Sequence, residues 1–330
     1  MIAEKINSLG FIFEHHLDVK GRISISDLFP KSKSRCGIYL LNFSDETFYI
    51  GQAVDAVRRF SQHRKNYDNI EKFWFQAIEK NKLDETEYRL IQGAELNGIL
   101  LTNKTFVSTV IGETDLDLII SSIEQNEWLE KNIQLSNEGF DLYSKIEFKY
   151  KIKYRQNFEK FQNLDNYIEL KKLLNLYITK CLPAFKKTEM SFWSLSCMPS
   201  TNSGTWPRFF CLNVNAMEVF VLGCEKKTKI PFCFLVITNR FHKDKKTVEK
   251  LYKKYKSLEI NESNYRAAGV DQIRLNFTDL QELEKILLTE NEIVMSIKEM
   301  NLRLMRKGGT IYSPFHCFDW SQYVSSSYAL

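Results

Sequence analysis

The sequence predicts a small α/β domain near the N-terminus and a separate α+β domain toward the C-terminus, joined by a helical, basic connection. Three observations lead there. Residues 37–78 run strand, strand, helix, strand, with polar turns between them. Residues 145–187 are basic and aromatic, with leucines at helical spacing. From Met190 onward that spacing gives way to short β-like runs separated by turns. A chain of 330 residues is long enough for two domains.

The elements follow in order. Residues 1–35 read as an N-terminal extension of helix and loop, with Leu9, Phe11, Ile12 and Phe13 available for packing. His15 and His16 stand beside Glu14 and Asp18, but adjacent residues on a helix point apart and chelate poorly together. Residues 37–43 form a short apolar run suited to a buried strand. Ser44-Asp45-Glu46 turns the chain into a second strand over 47–50, and Gly51 marks its exit. Asp55 opens a helix containing Val57, Phe60 and Arg64; residues 73–78 make a third strand. Asp84 is the expected N-cap of a helix reaching Ala94. The first domain, 36–110, is thus a three-stranded sheet with flanking helices.

The connecting region, 111–188, is read as helical over 114–135 and again around Leu170–Tyr177, ending at Cys181-Leu182-Pro183. In the last domain, 189–330, strands are expected at 192–197, 209–214, 217–222 and 232–238. A basic helix is expected at 243–256, with further helices at 279–288 and 292–307, the last ending at Gly308-Gly309.

Composition narrows the function classes. Apolar content excludes wholesale disorder, and no apolar run is long enough to span a bilayer. The N-terminus lacks the apolar core of a signal peptide. The seven cysteines include no CxxC pair, so neither a zinc site nor a disulfide framework is expected, and reduced thiols in a cytoplasmic protein are the simpler reading. The net charge of +5 is mild but concentrated at 145–155 and 226–256, which points to a polyanionic partner.

Phosphodiester hydrolysis needs a deprotonated water, charge stabilisation and help for the leaving oxygen. Glu87 shares a helix face with Leu83, Leu90, Ile91 and Ala94. A carboxylate there needs compensation, either by a cation or by a buried salt bridge to a residue such as Arg59. Tyr39 and Tyr49 lie on neighbouring strands. Arg59 and His63 lie one helical turn apart and can face one site; Arg58 is the competing arginine.

Gly37-Ile38-Tyr39, Tyr49-Ile50-Gly51, Arg59, His63, Glu87 and Asn103, in this order and spacing, resemble the GIY-YIG nuclease family. The resemblance covers about a fifth of the chain. It implies a DNA endonuclease with Tyr39, Tyr49, Arg59, His63, Glu87 and Asn103 in its active site. Glu87 would bind one Mg²⁺, or Mn²⁺ in its place, an ion suited to a lone carboxylate plus waters and a substrate phosphate. Arg59 would hold the scissile phosphate, and Asn103 would anchor the site. Either Tyr39 or His63 would be the general base. A free phenol has a pKa of about 10, so Tyr39 needs a metal and a guanidinium to serve. The chain departs from the excision-repair branch, which carries a lysine where Gln52 stands.

Three stretches are candidates for contacting double-stranded DNA. Lys149, Lys151, Lys153 and Arg155 alternate with Tyr150, Ile152 and Tyr154, so that a strand would put the cations on one face; an edge protected by lysines reads the same way. Lys246, Lys250 and Lys253 belong to the densest basic cluster, read as a backbone-binding helix. The loop at 200–207, with Asn202 and Trp206, followed by Arg208, is the candidate for reading bases; a plain surface turn is the alternative. His316 beside Cys317 reads as packing. The sequence therefore predicts a metal-dependent endonuclease with C-terminal target selection, of restriction or anti-phage type, and leaves a homodimer open. Structure-specific repair or recombination nucleases, homing nucleases and an inactive nucleic-acid-binding protein are the alternatives.

Overall fold

The computed structural model describes residues 13, 15–30, 32, 34–131, 133–137, 142–240 and 244–326. They divide into two compact units, Met1–Gly112 and Glu113–Leu330. The fold mixes helix with a four-stranded sheet in the first unit and a six-stranded sheet in the second.

In the first unit, β1 (His15–Asp18), β2 (Gly37–Phe43), β3 (Phe48–Ala53) and β4 (Ile70–Ala77) pair antiparallel in the order β1-β4-β2-β3. Every residue of β2 is buried, because both faces of the sheet are covered. Helix α1 (Ala56–Arg64) covers one face, where Val57 and Phe60 meet Tyr39, Leu41, Phe73 and Phe75. Helix α2 (Leu83–Leu96) covers the other, where Leu83, Leu90 and Ile91 meet Ile38, Leu40, Ile50 and Trp74. The β2–β3 turn is closed by Asp45, whose Oδ1 accepts from Thr47 N at 3.1 Å and Thr47 Oγ1 at 2.7 Å.

Two expectations change here. The sheet has a fourth strand: residues 15–18, read as part of a helical extension, add to the edge of β4. Four residues carry too little periodicity to declare a strand, and the open edge of β4 decides their conformation. His16 stacks on Trp74 at 4.6 Å. Leu9, Phe11 and Ile12 lie outside the described residues. Second, Asp84 is not the cap of α2; the chain enters that helix from a 3₁₀ turn, Lys82 takes the cap position, and Asp84 sits in the first turn.

The second unit holds β5 (Trp193–Cys197), β6 (Arg208–Val214), β7 (Met217–Cys224), β8 (Pro231–Thr238), β9 (Glu259–Glu262) and β10 (Gln272–Phe277), antiparallel in the order β5-β6-β7-β8-β10-β9. The four strands expected between 192 and 238 are present within a residue or two. β9 and β10 were not expected. Helices α3 (Ser122–Glu130), α4 (Phe148–Lys151), α5 (Arg155–Gln162) and α6 (Tyr167–Cys181) precede the sheet. Helix α7 (Lys245–Lys254) interrupts it, and α8 (Leu280–Thr289), α9 (Asn291–Arg306) and α10 (Phe318–Ser326) follow.

One sheet face, carrying Leu195, Phe210, Phe220, Leu235 and Leu275, forms the core with Leu173 of α6, Leu283 of α8 and Ile297 of α9. The helices read as an interdomain connection are part of this core through Trp128, Phe158 and Leu170. No described helix is long and apolar enough to cross a membrane, and all seven cysteines are free thiols.

The basic strand expected at 149–155 is absent. Phe148–Lys151 is a helical turn, and a new helix begins at Arg155. Alternating cations and aromatics fix a strand only where a partner strand pairs with them, and none does here. The cations face different neighbours instead. Lys149 pairs with Glu147 at 2.8 Å, Lys153 Nζ donates to Pro314 O at 2.8 Å, and Arg155 Nη2 donates to Asp319 Oδ1 at 3.0 Å. Lys149, Lys151, Lys153 and Arg155 therefore form no continuous phosphate track.

Candidate active site

The two glycines of the tripeptides are required by space. Gly37 lies opposite Ala77, and a Cβ on it would stand 2.0 Å from Gln76 O. Gly51 lies opposite Tyr39 across the hairpin, and a Cβ there would meet the Tyr39 phenol oxygen at 2.3 Å. The register also pairs Leu41 with Tyr49, which puts both tyrosines on the α1 face of the sheet. Their rings lie 6.1 Å apart.

Helix α1 brings the remaining groups to that face. Asp55 caps it by accepting from Arg58 N at 3.1 Å, which fixes the start and hence the rotation of the helix. Val57 and Phe60 point inward, and Arg59 and His63 then reach the tyrosines one turn apart. Tyr39 Oη lies 2.7 Å from His63 Nε2 and accepts from Arg59 Nε at 3.2 Å. Arg59 Nη1 donates to Gln62 Oε1 at 3.2 Å. Arg58, the competitor, is exposed, and no hydrogen bond ties its side chain to this group.

Burial governs the proton positions. It pushes the Tyr39 phenol well above the ordinary tyrosine value, and the proximity of Tyr49 adds to this, against the opposing pull of Arg59. Tyr49 is raised as well, chiefly by burial. His63 moves the other way: burial, then the Arg59 cation, lower its pKa from 6.5 to about 4. At neutral pH Tyr39 keeps its proton and His63 is neutral. With one lone pair of Tyr39 Oη taken by Arg59, the phenol proton is directed to His63 Nε2, which places the imidazole proton on Nδ1.

Asn103 ties the edge of β3. Its Oδ1 accepts from Ile50 N at 3.0 Å, and its Nδ2 donates to Ile50 O at 2.7 Å. An edge strand presents such unpaired groups, and Asn103 satisfies them as a further strand would. The next residue, Lys104, then lines a cleft of about 300 Å³ with Tyr49, Arg59, Gln62, His63 and Asn103. Lys104 was missed from the sequence; its position directly after Asn103 was the available signal.

Glu87 is buried on α2 with Leu83, Leu90, Ile91 and Ala94, as its helical spacing predicted. No buried salt bridge to Arg59 is found among the described residues. Its Oε2 accepts from Gln52 Nε2 at 2.9 Å, and the same amide donates to Asp84 Oδ1. Burial, with Asp84 adding to it, raises the Glu87 pKa, while Gln52 and Arg59 oppose the rise. Gln52, which marks the departure from the repair branch, therefore joins two carboxylates one turn apart on α2, and Asp84 is a site residue that the i, i+3 spacing to Glu87 could have revealed. Glu95 is not simply solvated: it accepts from Ser108 N at 2.6 Å.

A hard divalent ion fits this donor set. Glu87 is buried with a single neutral donor on its carboxylate, and Asp84 adds a second oxygen donor nearby. Mg²⁺ or Mn²⁺ bound through one or two carboxylates keeps most of its waters, and no cage of three or more acidic, His or Cys ligands occurs among the described residues. Glu87 would hold the ion, with Asp84 beside it.

The candidate DNA contacts separate. Arg208 begins β6 rather than standing in a loop; its guanidinium is paired with Glu218 and largely buried, so it is not free to read bases. That pairing depends on a strand partner ten residues away, which a loop reading could not foresee. Lys246, Lys250 and Lys253 lie on α7 and are exposed. Asp244 caps that helix, accepting from Lys246 N at 3.1 Å. Lys254, of the same cluster, pairs with Glu290, and Lys243 lies outside the described residues. His316 is buried: its Nδ1 accepts from Leu195 N at 3.0 Å, and its Nε2 lies 3.0 Å from Glu189 Oε1.

Compared with protein families, with curated proteins and with solved structures, the chain matches none.

Proposed function

We propose that the first unit is a metal-dependent endonuclease of GIY-YIG type that hydrolyses phosphodiester bonds in double-stranded DNA. The observation that carries this reading is the Tyr39 phenol held between His63 Nε2 at 2.7 Å and Arg59 Nε at 3.2 Å, beside a cleft lined by Tyr49 and Lys104. A neutral imidazole, a buried phenol and a cation in one chain of hydrogen bonds are the parts of a proton relay next to a phosphate site.

In the proposed reaction the scissile phosphate sits against Arg59. Its negative charge offsets the cation that depresses His63, so substrate binding makes the imidazole a better base. A water at the free lone pair of Tyr39 Oη gives its proton to that oxygen as the phenol proton passes to His63 Nε2. The hydroxide forms its bond to phosphorus, and the P–O bond to the leaving oxygen breaks. A divalent ion at Glu87 would supply Lewis-acid stabilisation of the developing charge. Lys104 and Arg59 position the phosphate from the open side.

Lys246, Lys250 and Lys253 would grip the duplex backbone, and the second unit would select the target. Cleavage of foreign DNA, as in restriction or anti-phage defence, is the setting we favour for such an addition. The test is incubation of full-length protein with supercoiled plasmid and Mg²⁺, with Glu87→Gln alongside. Nicked or linear product from the wild type alone is expected; equal product from Glu87→Gln would remove the carboxylate from the mechanism.

A further inference from the structure

All the core helices of the second unit pack on one face of its sheet, and the opposite face is left to loops. The register puts Val221, Phe234 and Asn276 in one row across β7, β8 and β10, and Val236, Arg274 and Asn261 in the next across β8, β10 and β9. Strand alternation sends these side chains away from the helices. Over them lies a cleft of about 710 Å³, within the range of sites that enclose small molecules.

Three aromatic rings border it. Phe232 and Phe234 alternate along β8, and Trp206, 46% exposed, stands edge-on to Phe232 at 5.4 Å. The loop carrying Trp206 is anchored to the strands, Cys224 N donating to Pro207 O at 3.1 Å and Lys226 N to Thr205 O at 2.9 Å. Gly223 leaves room for this arrangement, since a Cβ there would stand 2.3 Å from Pro207 O and 2.7 Å from the Phe232 ring. The floor is polar. The side-chain amides of Asn261 and Asn276 line it, and the Arg274 guanidinium lies 5.6 Å from the centre of the Phe234 ring. Arg274 Nε is buried and has no hydrogen-bond partner among the described residues. No carboxylate within salt-bridge distance neutralises it there, in contrast to Arg208, which Glu218 holds.

Flat rings for stacking, amides that both donate and accept, and an uncompensated guanidinium suit a planar heterocycle that carries a phosphate. We propose that this cleft takes an unpaired nucleotide of the DNA, with its base stacked against Phe234 and Trp206 and read by Asn276 and Asn261. Its phosphate or a base oxygen would accept from Arg274. Aromatic stacking on a sheet is a recurrent way to hold unpaired bases, and a base inside a duplex cannot reach such a surface. The second unit would then select DNA by a base out of the stack. This target rests on the endonuclease reading of the first unit, while the cleft's taste for nucleotides does not.

The experiment uses full-length Glu87→Gln protein, so that DNA survives the measurement. Its probes are deoxynucleoside monophosphates, a matched duplex, and the same duplex with one unpaired nucleotide. Affinity for the duplex with the unpaired nucleotide should exceed that for the matched duplex by about tenfold, within the worth of one base–aromatic stack. Nucleotide binding should change Trp206 fluorescence, and the change should vanish in Trp206→Phe. Phe234→Ala and Arg274→Ala should each abolish the preference. Trp206→Ala, on an exposed loop, repeats the test without touching the sheet.

Equal affinity for the two duplexes, or a preference that survives these substitutions, would overturn the proposal. So would a Trp206 signal that no nucleotide moves, as expected of a peptide-binding cleft. Plasmid cleavage by the wild type, measured in parallel, separates the two readings. Cleavage without the preference sinks the cleft alone; the preference without metal-dependent cleavage sinks the nuclease alone.

Discussion

Gly51→Ala tests the proposed site through one added methyl group. The new Cβ would stand 2.3 Å from Tyr39 Oη, 2.5 Å from Tyr39 Cζ and 2.8 Å from Tyr49 Cε1, whereas ordinary contact begins at 3.4 Å. The phenol oxygen must therefore give way by about 1.1 Å, the difference between 3.4 and 2.3 Å. A shift of that size disrupts the 2.7 Å link to His63 and the 3.2 Å link to Arg59. Misplacing a reacting group by about 1 Å costs on the order of 100-fold in rate, or about 2.7 kcal/mol of barrier. Overpacking at such a site also costs stability, typically about 1–3 kcal/mol. The assay is single-turnover plasmid cleavage under conditions where circular dichroism shows the variant folded. In a Tyr39→Phe background, already without the phenol oxygen, Gly51→Ala should cost little further activity, because both changes remove the same relay. Wild-type cleavage by a folded Gly51→Ala protein, or full additivity of the two substitutions, would refute the relay.

Arg59→Ala should slow cleavage by about 10²–10³-fold, the usual cost of removing one charge-stabilising donor, whereas Arg58→Ala should stay near wild type; similar losses in both would show that α1 is rotated relative to the site. His63 is held at a pKa of about 4 against an ordinary 6.5, so its neutral form favours the fold. Above pH 6.5 it is neutral in both states and the stability is fully present; as pH falls from 6.5 to 4 the unfolded chain takes the proton first and stability declines. Denaturant titrations at pH 7, 5 and 4 should show the wild type losing up to about 3 kcal/mol more than His63→Gln, and parallel pH slopes for the two proteins would contradict the buried neutral imidazole. Changing Lys246, Lys250 and Lys253 to Glu should weaken DNA binding and flatten the salt slope by about 0.9 for each lost phosphate contact, with stability little changed, since solvated charges contribute little to it. An unaltered slope and affinity would mean that α7 faces away from DNA.

The first unit was largely legible because its pattern is local. The apolar run at 37–43, the turn at 44–46 and the helix after Asp55 each declare themselves within ten residues, and Glu87 stands out because it interrupts an apolar stripe. What escaped depends on partners distant in sequence. His15–Asp18 becomes a strand only because β4 offers an edge more than fifty residues later. Gln52 reads as a missing lysine until Asp84 and Glu87 are placed beside it. Residues 149–155 alternate as a strand would, yet with no strand to pair with they turn into helix and send their cations to Glu147, Pro314 and Asp319. Arg208, three residues beyond a loop asparagine and tryptophan in the chain's turn region, is committed to Glu218 across a hairpin. Strands β9 and β10 are short and polar on one face, which hides them among turns.

The central claim is that the Tyr39 phenol, held by Arg59 and His63, takes part directly in phosphodiester hydrolysis. It is tested most directly by Tyr39→Phe, which removes one oxygen and leaves the ring. Single-turnover cleavage of supercoiled DNA in Mg²⁺ should fall by at least about 10²-fold, as for loss of a positioned acid–base group. Melting temperature and DNA affinity should stay close to wild type, because the ring still packs between Tyr49 and Phe73. A folded Tyr39→Phe protein that cuts DNA at the wild-type rate would contradict the account.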